Sequence, residues 1–147
     1  MRILSLLAIS ILLLSACKKE DVSLKLKNET SEQMMGKWMV QRIIYEVSIK
    51  KVINNDLYRA LNLLNSKLEV HGSAHDCFDF QGHEMVQIKT SESAKLKSYN
   101  ILNPSQVMIG HEEWRIEKLT ATELELKFVR DAGDFTRVTR MYLNRSL

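Results

Sequence analysis

From Lys67 to the C-terminus the sequence is cut into short runs in which apolar and polar residues alternate, with a turn signal about every ten residues. In the cleanest run Leu124, Leu126 and Phe128 alternate with Glu123, Glu125 and Lys127. Leu68 and Val70 alternate with Glu69 and His71, Phe78 and Phe80 flank Asp79, and Trp114 and Ile116 alternate with Arg115 and Glu117. Between the runs stand His71-Gly72-Ser73, Gln81-Gly82, Asn103-Pro104-Ser105, Thr120-Ala121-Thr122 and Asp131-Ala132-Gly133-Asp134. These residue types supply the backbone conformations that tight turns need. A period of two sends successive side chains to opposite faces of a strand. A set of such strands has one apolar face to bury, and short strands joined by turns bury it by closing into an antiparallel barrel or a sandwich.

Two segments before Lys67 belong to the same domain, which is expected to span 34–147. Gly36-Lys37-Trp38 opens an apolar-rich run to Ile49 whose β-branched and aromatic residues mark a strand. Both of its parities carry apolar residues, which fits a strand that is long, partly buried on both sides, or bulged. Leu57, Ala60, Leu61 and Leu64 then follow the i, i+3, i+4, i+7 spacing of an amphipathic helix, with Asn54 or Asn55 placed to cap it. One helix is therefore expected over 55–65, between the first two strands.

The N-terminus carries an address. Arg2 precedes Ile3 to Leu14, a stretch without charge, and Leu14-Ser15-Ala16-Cys17 follows. A basic start, a short apolar core and small residues before a cut site describe a secretory signal. The apolar stretch would cover only about 18 Å of a ~30 Å hydrocarbon core, too little for a spanning helix. With Cys17 first after the cut, the pattern resembles the lipobox of bacterial lipoproteins. The resemblance implies that residues 1–16 are removed and that lipid is attached to Cys17, which anchors the protein to a membrane. Residues 17–33 are mostly polar and read as a flexible tether. The Lys19-Glu20-Asp21 stretch resembles the acidic export signal of surface lipoproteins of the Bacteroidetes group, and Lys18, rather than Asp, after Cys17 argues against inner-membrane retention by the enterobacterial sorting pattern. Together they point to the outer membrane, on its periplasmic or surface face. Cleavage loses only Arg2 among charged residues, taking the formal charge from +3 to +2. That small, dispersed charge is no footprint for nucleic acid. Of the two cysteines, Cys17 is taken by lipid, so Cys77 has no partner for a disulfide within the chain and is expected to be a small buried apolar residue.

Gly36-Lys37-Trp38 at the start of the first strand, the strands from Trp114-Arg115-Ile116-Glu117 through Glu123 to Phe128, and the terminal Tyr142-Leu143-Asn144-Arg145 together resemble the lipocalin-like lipoproteins of Bacteroidetes, related to the calycin barrels. The resemblance implies an all-β, antiparallel, eight- to nine-stranded lipocalin-like barrel. It implies that Trp38 plugs one end, with Arg140 or Arg145 from the last strand lying over its ring. It also implies a small hydrophobic ligand, bound at the cell envelope.

Residues suited to other chemistry are present but poorly arranged. His71, His75, Asp76, Cys77, His83 and Glu84 are metal-ligand types. His71 and His75 would share a face only on a helix, and Gly72-Ser73 between them breaks that geometry, so no metal or other cofactor is expected. There is no Gly-x-Ser-x-Gly elbow and no glycine-rich phosphate loop. Cys77 stands beside the carboxylate of Asp76 rather than a cation, which makes it a poor nucleophile. Glu112 and Glu113 point to opposite faces of a strand and cannot serve one substrate as an acid/base pair. Met34, Met35, Met39, Met85, Met108 and Met141 read as adaptable core filler. The chain is thus expected to bind rather than catalyse. The alternative expectation is a filled barrel that serves as a structural or protein-interaction module of the outer membrane.

Overall fold

The computed structural model describes residues 22–49, 67–133 and 135–146. Its strands are β1 (Gly36–Ile49), β2 (Leu68–His71), β3 (Cys77–Gln81), β4 (Met85–Lys89), β5 (Ala94–Asn103), β6 (Gln106–Ile109), β7 (Glu112–Leu119), β8 (Glu123–Asp131) and β9 (Phe135–Arg145). They form one antiparallel sheet that closes on itself through β1 and β9, in a register running from Trp38↔Arg145 to Ile49↔Phe135. Along the other edge of β1, Gly36 to Met39 pair with β3 and Arg42 to Tyr45 pair with β2. β2 and β3 therefore act as one interrupted strand, and the barrel has eight positions around its wall. This is a lipocalin-like architecture.

A bulge between Val40 and Arg42 explains why both parities of β1 are apolar. Before it, Trp38 and Val40 face inward and are buried. After it the inward set shifts by one residue, because Ile43 pairs with Met141 and Tyr45 with Thr139, both buried on the inner face of β9. The break between β2 and β3 sits at the same place. Gly72 N donates to Gln41 O at 3.0 Å and Val40 N donates to Asp76 O at 2.9 Å. A Cβ on Gly72 would stand 2.0 Å from Val40 O, so only glycine lets the two backbones approach this closely.

The helix that the structure describes precedes the strands. Residues 22–34 are helical (α1), which corrects the reading of this stretch as a flexible tether; the segment 55–65, expected to be a helix between the first two strands, and residues 17–21 lie outside the described residues. The seat of α1 is a set of specific contacts rather than an apolar stripe. Met34 is fully buried against the barrel core, and Thr30 is buried, its hydroxyl satisfied within the helix by donating to Leu26 O at 2.9 Å. Lys27 Nζ reaches Asn100 Oδ1 on β5 at 3.2 Å. Val22, Leu24 and Leu26 stay exposed.

Inward residues of every wall position meet in one core, with Trp38, Phe80, Val86, Val107, Leu124, Leu126 and Leu143 among those at 1% exposure or less. Phe80 packs edge-on against Tyr99, ring centroids 5.2 Å apart. This filled half of the barrel lies toward α1.

Candidate functional site

The two ends of the barrel differ, and the difference locates the site. At the α1 end the interior is sealed. The indole of Trp38 is fully buried and its Nε1 donates to Met34 O at 2.8 Å. Arg145, its cross-strand partner, places its guanidinium 4.4 Å from the ring centroid. The same group donates from Nε to Ala121 O and from Nη1 to Met35 O, each at 2.8 Å, and from Nη2 to Gln33 O. One side chain thus ties the β7–β8 turn, the last turn of α1 and the chain entering β1. A cation also suits the carbonyl-rich end of a helix. Gly36 has φ +108° and its Cβ position lies 3.2 Å from Arg145 Nη1, so glycine suits the junction twice over.

Arg140, the other residue considered for contact with Trp38, is elsewhere. It pairs with Ile44 five strand positions before Arg145, about 17 Å along β9 at the rise of a strand, and on the outer face. There its guanidinium bonds Glu46, which raises its already high pKa.

Among the described residues, the other end is open. A cavity of about 290 Å³ enters the barrel between the β4–β5, β6–β7 and β8–β9 turns. Its floor is apolar: Phe78, Ile88, Ile109, Trp114, Phe128 and Met141. Its upper wall and rim are polar: Tyr45, Lys97, Glu112, Arg130 and Arg137, with the buried Thr139 beside Phe128. The lining residues come from all eight wall positions, so this is the lumen itself and not a groove on the outside. The volume stands at the lower end of the ~300–1,000 Å³ range of small-molecule sites. A concave pocket with an apolar floor and polar groups toward its mouth suits a small amphipathic guest.

The polar groups of the lumen are unequally satisfied. Lys97 Nζ and Glu112 Oε2 form an ion pair at 4.0 Å. Glu113 lies on the opposite, outer face, where it accepts from Gln106 Nε2 at 2.7 Å. Trp114 packs on Phe128 with ring centroids 5.1 Å apart, and its Nε1–H is buried without an acceptor. A buried donor without a partner costs about 1–3 kcal/mol, a penalty proteins accept sparingly outside functional sites.

The histidine-rich segment is dispersed. His71 ends β2 and His75 lies in the β2–β3 break, both exposed, while His83 stands in the β3–β4 turn toward the sealed end with φ 63°. Glu84 follows it with φ 57°. Among the described residues no three His, Cys, Asp or Glu side chains come together as a metal site. Asp76 is a loop clasp: its carboxylate accepts Ser73 N at 2.8 Å and Ser91 N at 3.1 Å. These bonds, the one from Ser73 first, hold its pKa below the usual value despite some burial. Cys77 is a free thiol, 2% exposed, and lies on the outward parity of β3 beside inward Phe78.

Arg130 and Arg137 at the mouth were not singled out by sequence. A usable signal exists, because extending the Leu124, Leu126, Phe128 alternation by two residues puts Arg130 inside. Placing Arg137 opposite it requires the register of the β8–β9 hairpin. The chain matches no protein-family model, and a search of curated proteins finds no match.

Proposed function

We propose that the protein is an envelope lipoprotein that binds a small, largely apolar molecule in the open half of its barrel. The observation that carries the reading is the asymmetry of the lumen. A filled structural barrel would be packed from end to end, as protein interiors normally are. Among the described residues, the α1 end is packed to near-zero exposure while about 290 Å³ stays open above an aromatic floor at the other end. Unfilled apolar volume destabilises a fold, and its retention is explained by a guest that fills it. The lipobox around Cys17 supports attachment to the outer membrane through lipid. Such an anchor holds the protein there without a membrane-binding face on the barrel.

The test is native mass spectrometry of the intact protein as purified, beside a Thr139→Phe variant. Thr139 lines the cavity and is 8% exposed, so a phenyl ring there occupies the space of the guest. A copurifying small molecule in the wild type that is lost in the variant supports the reading. No guest in either, together with no uptake of added 1-octanol, favours the filled-module alternative.

A further inference from the structure

We propose that the guest carries an anionic head group, held at the mouth of the lumen by Arg130 and Arg137 while its apolar body lies inward against Phe128 and Trp114. The inference rests on the ligand-binding reading above and deepens it. Arg130 and Arg137 are direct cross-strand partners of β8 and β9. They continue the inward phase of Phe128 and Thr139, and both line the cavity. Directly opposed residues of an antiparallel pair have Cβ atoms only about 4.5–5.5 Å apart, and like charges in that position repel. Among the described residues no carboxylate forms an ion pair with either guanidinium.

The neighbouring charges are already engaged. Lys97 is paired with Glu112, and Asp131 Oδ1 accepts Gly133 N at 3.1 Å within the β8–β9 turn. Two facing guanidiniums are thus left above an apolar floor. An oxyanion between them turns the repulsion into attraction on both sides, and each planar fork matches a carboxylate or a phosphate. A neutral guest leaves the pair unrelieved, and a cationic one adds to it. The chemical class is therefore a short amphiphile ending in a carboxylate or phosphate, its length limited by the sealed far end.

Calorimetric titration of the intact chain with octanoate, octyl phosphate and 1-octanol tests this, because the three share one tail. The anions are expected to bind about tenfold more tightly than the alcohol, with an advantage that shrinks as salt is raised. Preference for one anion over the other identifies the head group. In the double variant Arg130→Gln/Arg137→Gln the octanoate-to-octanol ratio is expected to fall toward one. Arg115→Gln, on the outer parity of β7, removes the same kind of charge away from the lumen and is expected to leave the ratio unchanged. Should the double variant fold poorly, the salt dependence of the wild type decides, and salt-independent octanoate binding overturns the proposal. Equal affinity for octanol and octanoate in the wild type, or an equal loss in Arg115→Gln, also overturns it while leaving a lumen that binds apolar guests. Absence of binding by all three overturns the anion proposal and the ligand-binding reading together.

Discussion

Replacing Arg145 by alanine should loosen the sealed end of the barrel at a cost well above that of an ordinary surface arginine. The side chain donates to three carbonyls, those of Ala121, Met35 and Gln33, and stacks on Trp38. A hydrogen bond to a charged group contributes about 1.5–3 kcal/mol in favourable settings. These three are at the rim, where water competes, so about 0.5–1 kcal/mol each is the appropriate scale. The cation–π contact adds about 0.5–2 kcal/mol. The total is about 2–5 kcal/mol, a large share of the ~5–15 kcal/mol that a folded domain has in all. Arg145→Lys keeps the charge but not the fork, and should recover less than half of the loss. Arg140→Ala removes one partly exposed ion pair with Glu46 and should cost less than about 1 kcal/mol. Urea unfolding followed by tryptophan fluorescence measures all three, with the midpoint read at constant m. A loss below about 0.5 kcal/mol for Arg145→Ala, or an equal loss for Arg140→Ala, would refute the assignment of Arg145 as the clasp of this end.

Gly72→Ala forces a Cβ to 2.0 Å from Val40 O and should destabilise by about 3 kcal/mol, whereas Gly82→Ala, with open space around it, should stay within about 0.5 kcal/mol in the same unfolding assay. Asp76 has a lowered folded-state pKa, so its clasp stabilises fully above the usual carboxylate range and less as pH falls through that range toward the folded value. The melting-temperature advantage of wild type over Asp76→Asn should accordingly shrink between about pH 5 and pH 2; an advantage that is constant or grows on acidification contradicts the clasp. Cys17→Ser should abolish incorporation of labelled palmitate and move the protein out of the membrane fraction, and undiminished labelling would remove lipid attachment at this cysteine from the account.

The strand cadence was legible because one face of each strand is buried, and burial imposes a period of two that survives in the sequence. Leu124, Leu126 and Phe128 show it plainly. The bulge in β1 was legible only as an ambiguity, since a one-residue insertion shifts the parity of everything after it. Helix α1 was not legible. It meets the barrel through Lys27 and the buried Met34, with Thr30 buried beside them, while the apolar Val22, Leu24 and Leu26 face solvent. Periodicity finds helices that bury a stripe, not helices seated by a few polar contacts and one side chain. Glu112 and Glu113 were correctly divided between faces from the pleat alone. The choice between Arg140 and Arg145 needed the register of β9 against β1, a long-range fact that no local pattern contains. The arginine pair at the mouth was hidden for the same reason: two residues seven apart become neighbours only once the hairpin is paired.

The proposed guest in the open half of the lumen can be detected directly at the indole N–H groups. The chain has two tryptophans, Trp38 at the sealed end and Trp114 in the cavity lining. Trp38 Nε1–H is bonded to Met34 O at the sealed end, and Trp114 Nε1–H is unpartnered beside the cavity. In a 15N-correlated NMR spectrum the two indoles give two N–H signals, assigned with a Trp114→Phe variant. Titration with octanoate should shift the Trp114 signal and leave the Trp38 signal in place. A Trp114 signal that does not move at saturating octanoate, or a larger shift at Trp38, would contradict a guest in the open half of the barrel.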